Sequence, residues 1–172
     1  MPARPRFVRD TWGLIKPYWS SEERMSAWLL LLTVIGLTLA MVYMSVLFNE
    51  WYNLFYNALQ EKNAEEFWRQ ILRFCVLAAI YILMAVYAYY LNQMLQIKWR
   101  RWLTDRYLTD WLADRTYYRL QLTGNPTDNP DQRIAEDVNA FIGGGPTNTG
   151  LLPLGLGLLN AVVSLASFGV VL

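Results

Sequence analysis

Long apolar stretches dominate the hydrophobic pattern of the chain. The stretch Ser26–Phe48 contains no charged residue over 23 positions, and Phe74–Ile97 contains none over 24. A third apolar stretch runs from Leu151 to Leu172. Because an α-helix rises 1.5 Å per residue, about 20 apolar residues cross the hydrocarbon core of a bilayer. The pattern therefore predicts an all-α, polytopic membrane protein with spans at about 26–48, 74–97 and 151–172.

The composition supports a membrane protein and argues against several kinds of enzyme. Of the 172 residues, 55% are hydrophobic and 17% are charged, whereas soluble domains carry about a quarter charged residues. Histidine is absent, which disfavours a zinc site or a His-based catalytic triad, and Cys75 is the only cysteine. No charged residue follows the third apolar stretch, so we expect the chain to be part of a longer protein.

Charged residues around the apolar stretches predict the orientation in the membrane. The segment before Ser26 has a net charge of +2, and residues 49–73 have a net charge of −1. Basic residues follow the second stretch closely, at Lys98, Arg100, Arg101 and Arg106. Since Lys and Arg near the ends of spans favour the cytoplasmic side, we expect a cytoplasmic N-terminus and an external loop at 49–73.

The second apolar stretch lies within 62 residues that contain neither Gly nor Pro. Asn63 is suited to cap a helix, and Glu66 three positions later completes a capping box. At the other end, Gly124 and Pro126 supply a stop signal. We therefore expect one helix over Ala64–Leu122, far longer than a membrane requires. Its last part carries one apolar face, formed by Trp99, Leu103, Tyr107, Leu108, Trp111 and Leu112.

A second, shorter helix is predicted directly after this stop. Asn129 can cap it, Pro130 fits its first position, and Gln132 can reach back as in a capping box. Residues Gly143–Gly145 then read as a hinge before the third apolar stretch. The predicted loop at about 123–150 thus contains a short charged helix between two membrane spans.

The segment "NPDQRIAEDV", which starts at Asn129, resembles the first intracellular loop of ABC exporter-type transmembrane domains. The similar group comprises peroxisomal fatty-acyl transporters and bacterial peptide-antibiotic, bleomycin and cobalamin importers. "LFNEWYNLFYNALQEKNAEEFW", from Leu47 to Trp68, is similar to the external segment of those bacterial proteins. The resemblance implies a six-span domain that works as a homodimer, with about three spans present here. It also implies that the loop is a coupling helix contacting a nucleotide-binding domain, through Asn129, Pro130, Asp131, Gln132, Arg133, Glu136 and Asp137.

ATP and Mg²⁺ are implied only for a longer parent protein. Lys16, Lys62 and Lys98 follow Ile, Glu and Ile, so none belongs to a G-x-x-x-x-G-K-[ST] phosphate loop. We expect no ATP hydrolysis by this chain alone, and the nucleotide-binding domain is expected to be absent from it.

Polar residues inside the second span are candidates for a substrate path, because burying them in lipid is costly. They are Tyr87, Tyr90, Asn92 and Gln93, and interfacial tyrosines with hydrogen bonds between helices are the preferred explanation of them. Glu50, at the outer mouth, is a further candidate, and a solvated acidic residue is its simpler interpretation.

Three functions remain open at this point. The first is the membrane part of an ATP-driven transporter in the bacterial inner membrane, with peptide-like, cobalamin-like or lipid-like cargo. The second is a proton-coupled importer of peptide antibiotics without an ATPase, in which Glu50 would matter. The third is a membrane-anchored interaction protein that dimerises through the apolar face of the long helix. No nucleic-acid partner is expected, because the segment after Ile97 is nearly balanced in charge.

Overall fold

The computed structural model describes residues 7–113, 130–144 and 149–171, and these form helices without any strand. The helices are α1 (Phe7–Trp19), α2 (Arg24–Gln60), α3 (Ala64–Leu112), α4 (Pro130–Ile142) and α5 (Leu151–Val171). The prediction of an all-α protein is confirmed. The predicted end of the long helix, with Gly124 and Pro126, lies outside the described residues.

Helix α2 takes up much of the expected loop at 49–73, and the external position of this segment stays a prediction. Helix α2 contains 37 residues and continues to Gln60, so it measures about 55 Å rather than the length of one span. The extension stays helical because aromatic side chains four positions apart pack along it, such as Trp51 on Phe55 at 5.1 Å between ring centroids. Only residues 61–63 turn the chain into α3.

This turn is closed by two backbone hydrogen bonds. The amide of Lys62 donates to the carbonyl of Leu59 at 3.2 Å, and the amide of Asn63 donates to Ala58 at 3.0 Å. Lys62 takes a left-handed conformation with φ of 54°. Together these features form a Schellman motif, in which glycine is the usual left-handed residue.

Asn63 caps α3 as predicted, but the capping box is wrong in its second half. The Asn63 Oδ1 accepts a hydrogen bond from the amide of Glu66 at 3.1 Å. The Glu66 carboxylate does not return this bond, since it pairs with Arg69 and accepts from Gln70. The amide of Asn63 is already used in the turn. Helix α3 then runs for 49 residues, about 73 Å.

The chain divides into two compact units, and α2 and α3 contribute to both. One unit comprises residues 32–92 and 155–172. The end of this unit next to the turn at residues 61–63 is held by aromatic residues of α2 and α3, with Trp51 at 4.8 Å from Phe74 between ring centroids. The indole of Trp51 also donates to the backbone carbonyl of Gln70 at 2.8 Å. This bond and this packing fix the register of the two helices.

The other unit comprises residues 1–31 and 93–154. Its largest fully buried side chains are Tyr18, Leu95, Trp99 and Ile142. Helix α1 was not predicted, and it supplies Tyr18 to this core. Ile15, Tyr18 and Trp19 lie on its packed side while Trp12 is exposed. Their spacing of three and four positions is the pattern that could have revealed the helix.

In the part of the chain that the structure describes, three helices are long and apolar enough to cross a membrane, namely α2, α3 and the part of α5 from Leu151 to Gly169. Only 6% of the most apolar window of α3 is buried within the chain, and the same holds for α5. Leu83, Val86 and Leu165 are among their exposed apolar side chains. Such extensive apolar exposure fits a multi-pass membrane protein rather than a water-soluble one.

Candidate functional site

Helix α4 begins at Pro130, the position that the sequence predicts for its first residue. It is amphipathic over 13 residues. Val138 and Ile142 are buried, and Ile134 is half-buried on the same side. Gln132, Arg133, Glu136 and Asp137 are polar and exposed, and Arg133 and Asp137 also line a cavity beside the packed side. One side of α4 is therefore packed, and Gln132 and Glu136 lie on the side that faces away from it.

The predicted cap of α4 is only partly within the described residues. Asn129 lies outside them, as do the side chains of Pro130 and Asp131. The Gln132 side-chain amide donates to the Glu136 carboxylate at 2.8 Å. The capping-box bond, in which the Gln132 oxygen would accept from the amide of Asn129, stays a prediction.

The C-terminal end of α4 is anchored through aromatic residues. Phe141 meets the ring of Trp99 edge to face at 6.2 Å between centroids. Trp99 is also stacked on Tyr18 of α1 at 5.5 Å between ring centroids, with 8° between the ring planes. Trp19 contacts Trp99 edge to face at 5.6 Å. The sequence predicted that Trp99 lies on a packed face, but it gave no sign of these partners.

The predicted apolar face of the long helix is largely confirmed. Trp99 and Leu103 are buried, and Tyr107, Leu108 and Trp111 are half-buried. Leu112, by contrast, is 61% exposed at the end of the described helix. Helix α4 thus packs on the buried part of this face, at Trp99 and Leu103.

A cavity of about 430 Å³ opens between α1, α3 and α4. Its lining is mostly apolar, with Arg133 and Asp137 as its charged members. The lining residues are Leu14, Leu103, Tyr107, Arg133, Ile134, Asp137, Val138 and Phe141. The same three helices thus meet at the aromatic anchor and around this cavity.

Two buried polar atoms of the anchor have no hydrogen-bond partner among the described residues. They are the Tyr18 hydroxyl and the Trp99 Nε1. Burial, with a smaller contribution from the charge of Glu23, raises the pKa of Tyr18 to about 12. Tyr18 is therefore neutral throughout the physiological range.

The turn after α4 depends on glycine. Gly144 has φ of +77°, and a Cβ there would overlap the backbone nitrogen of Thr149. A Cβ on Gly150 would likewise overlap the backbone nitrogen of Gly144. The two glycines let the chain pass close to itself between α4 and α5. The hinge expected at Gly143–Gly145 stays a prediction, and Gly145 lies outside the described residues.

The candidates for a substrate path do not form one site. Tyr87 is 63% exposed and Tyr90 is 55% exposed on α3. Glu50 pairs with Arg73 of α3 at 3.4 Å. Arg73 lies fourteen residues before Tyr87 on α3, so the two positions are about 21 Å apart along the helix axis.

Asn92 and Gln93 are half-buried at the next turn of α3. Gln93 lines a small cavity of about 110 Å³, together with residues that include Arg100, Asn139 and Gly143. A role in transport for any of these residues stays a prediction.

Comparison with known proteins identifies the class. Residues 14–172 match the family model for ABC transporter transmembrane region 2. The chain is 38% identical over 161 residues to the inner membrane ABC transporter ATP-binding protein YddA of Escherichia coli, covering 92% of this chain and 28% of the relative. It is 38% identical over 156 residues to ABC transporter D family member 2, chloroplastic, of Arabidopsis thaliana, covering 91% and 21%. With human lysosomal cobalamin transporter ABCD4 it shares 28% identity over 146 residues, covering 81% and 23%.

The chain is therefore a polytopic membrane protein. It belongs to the ABC transporter transmembrane region 2 family and corresponds to part of the membrane region of an ABC transporter. This confirms the resemblance drawn from "NPDQRIAEDV" and from the aromatic segment. The chain spans only 21–28% of the length of these relatives.

Proposed function

We propose that this chain is part of an ATP-driven transporter in a bacterial inner membrane and that α4 is its coupling helix. The observation that carries the proposal is the two-sided build of α4. Its apolar side packs on α3 through Phe141 and Trp99, while Gln132, Arg133, Glu136 and Asp137 are exposed. A partner that pulls on this polar side would move a packed unit rather than a loose loop.

An ATP-binding domain is the partner that fits the family. The E. coli relative is named an ATP-binding protein, and the chain covers 28% of its length. The exposed side of α4 offers amide, carboxylate and guanidinium groups, which suit a polar and transient interface. In this proposal Asn129, Pro130 and Asp131 belong to the same contact.

ATP and Mg²⁺ would be held outside this chain. Its lysines do not fit a phosphate loop, since Lys16 lies within α1, Lys62 lies in the turn before α3, and the ammonium of Lys98 donates to the Ser26 hydroxyl at 2.7 Å. Among the described residues, no group of three His, Cys, Asp or Glu side chains could hold a metal ion. ATP, when bound in the other domain, would supply the energy for conformational change.

The remaining features of the proposal follow the charges and the family. The N-terminus and α4 face the cytoplasm, because basic residues follow the second apolar stretch at Lys98, Arg100 and Arg101. The transporter works as a homodimer, with lipid against the exposed apolar sides of α3 and α5. Its cargo is peptide-like, cobalamin-like or lipid-like, and the human relative is named a cobalamin transporter.

Site-specific photo-crosslinking tests the contact directly. A photoreactive amino acid replaces Gln132 in the complete transporter, and the matched control carries it at Trp68, which is exposed on α3. After irradiation in membranes, mass spectrometry maps the adducts. We expect adducts with the ATP-binding domain from position 132 and none from position 68. Adducts from position 132 with lipid or with other membrane helices alone would refute the proposal.

The same preparation separates the two rival functions. A proton-coupled importer would take up cargo under a pH gradient without ATP and would carry no ATP-binding domain. A membrane-anchored interaction protein would give adducts with an unrelated protein or with a second copy of α3. The names of the relatives favour the ATP-driven function over both rivals.

A further inference from the structure

Trp99 contacts two helices that are far apart in sequence. It is 1% exposed, and it lies between Tyr18 of α1 and Phe141 of α4. Tyr18 is itself fully buried, so both rings of the stack are shielded from solvent. The three rings thus form a continuous row from α4 through α3 to α1.

The row continues into α2 through a tight turn. The Ser21 hydroxyl donates to the Tyr18 carbonyl at 2.7 Å, and the Ser21 amide donates to the same carbonyl at 3.1 Å. The amide of Arg24, the first residue of α2, then donates to Ser21 at 3.1 Å. A displacement of Tyr18 therefore reaches the start of a helix that is long enough to cross the membrane.

We propose that Trp99 is the positioning residue that ties α4 to α1, so that α1 follows each displacement of α4 during the transport cycle. The inference rests on the proposed function, because α4 must first be moved by the ATP-binding domain. It adds a second route to the membrane, through α1 and α2, besides the direct route along α3.

Close packing is the reason that such a row can transmit motion. Protein interiors are packed at the density of organic crystals, so a buried ring that shifts must displace its neighbours. The exposed ion pair of the same segment, Arg101 with Asp105 at 4.0 Å, gives no such constraint, since both side chains are solvated.

Trp102 provides a matched control on the same helix. Its ring lies 5.6 Å from Tyr18, and the Arg106 guanidinium lies over it at 5.4 Å. It is half-buried rather than buried, and it does not line the cavity beside Phe141. Removing Trp102 therefore takes away an aromatic neighbour of α1 without opening the row to α4.

Distances between the two copies of the complete transporter test the inference. Two variants are made in a Cys75→Ser background, one with a spin label at the exposed position Lys16 on α1 and one with a label at the exposed position Ala140 on α4. In each variant the distance is measured between the same position in the two copies. Pulsed electron paramagnetic resonance compares the nucleotide-free transporter with the one trapped by Mg²⁺, ATP and vanadate, in lipid nanodiscs. In the wild type we expect both distances to shift on trapping.

Trp99→Ala should uncouple the distance shift measured at Lys16 from the one measured at Ala140. The Ala140 distance still shifts on trapping, whereas the shift at Lys16 is lost; Trp99→Phe, which keeps a ring, restores it. Trp102→Ala should leave both shifts in place. If Trp99→Ala does not assemble, Phe141→Ala removes the ring of α4 that contacts Trp99. It should likewise keep the distance shift at Ala140 and abolish the one at Lys16.

The outcomes distinguish the two proposals. No shift at Ala140 in the wild type means that α4 does not respond to nucleotide, which overturns the proposed function. A normal shift at Ala140, with a shift at Lys16 that survives both Trp99→Ala and Phe141→Ala, overturns the inference alone. Loss of the Lys16 shift in Trp102→Ala as well would show a general loosening of α1 and would also overturn it.

Discussion

Gly144→Ala should strongly destabilise the connection between α4 and α5. A left-handed conformation costs an L-residue about 1–2 kcal/mol, and Gly144 has φ of +77°. The added methyl group would also overlap the backbone nitrogen of Thr149, which cannot move unless the turn opens. Overpacking of this kind costs about 1–3 kcal/mol. Together we expect a loss of roughly 2–5 kcal/mol in the free energy of unfolding.

Two neighbouring glycines provide the comparison. A Cβ at Gly143 would lie 2.6 Å from the Gln96 Oε1, which is the far end of a flexible side chain. Since that side chain can rotate away, Gly143→Ala should cost less than about 1 kcal/mol. A Cβ at Gly157 in α5 would meet nothing within 4 Å. Gly157→Ala should be neutral or stabilise by up to about 1 kcal/mol, because Ala is the better helix former.

The assay is the apparent melting temperature of the complete transporter in detergent, measured for all three variants at one scan rate. We expect Gly144→Ala to melt below the wild type, with Gly143→Ala and Gly157→Ala close to the wild type. Equal melting temperatures for Gly144→Ala and Gly143→Ala would refute the argument from backbone strain. A large drop in Gly157→Ala would show that the assay reports glycine content rather than the turn.

Further predictions concern the turn between α2 and α3 and the orientation. Lys62→Gly should raise the melting temperature through a gain of about 1 kcal/mol, because glycine relieves the left-handed strain at φ of 54°; a fall would contradict it. Asn63→Ala should lower the melting temperature through a loss of about 0.5–2 kcal/mol, because the helix cap is removed, while Asn63→Asp should retain most of the stability that the cap contributes. Trp51→Ala should cost about 3 kcal/mol or more in the same assay and Trp68→Ala little, since only Trp51 is bonded to Gln70 and packed on Phe74. In intact cells, an impermeant maleimide should label Asn57→Cys and spare Ala140→Cys, and the reverse result would invert the proposed orientation.

Local signals allowed several elements to be predicted from the sequence. The start of α4 at Pro130 followed from the preference of proline for the first helical position. The cap at Asn63 and the packed face with Trp99 and Leu103 followed from side-chain chemistry and periodicity. These features depend on residues within about one or two helical turns, which is the range over which sequence patterns are informative.

The remaining features depend on contacts between distant parts of the chain. Helix α2 extends to Gln60 because Trp51 and its aromatic neighbours pack on α3, although the asparagines of this segment favour turns. The left-handed residue is Lys62, where a sequence argument looks for glycine. The stack of Tyr18 on Trp99 joins residues 81 positions apart in the chain, and no local pattern specifies such a pair.

The strength of the anchor decides which part of α4 can serve as an interface. Exposed ion pairs such as Arg101 with Asp105 contribute about 0–1 kcal/mol, which is too little to fix the position of a helix when a partner displaces it. A buried aromatic pair adds about 0.5–1.5 kcal/mol beyond the area that it buries, and Trp99 makes such contacts with both Tyr18 and Phe141. The end of α4 at Phe141 and Ile142 is therefore committed to its own unit. A partner has to bind the half that carries Gln132 and Glu136, and any force applied there acts on a firmly held helix.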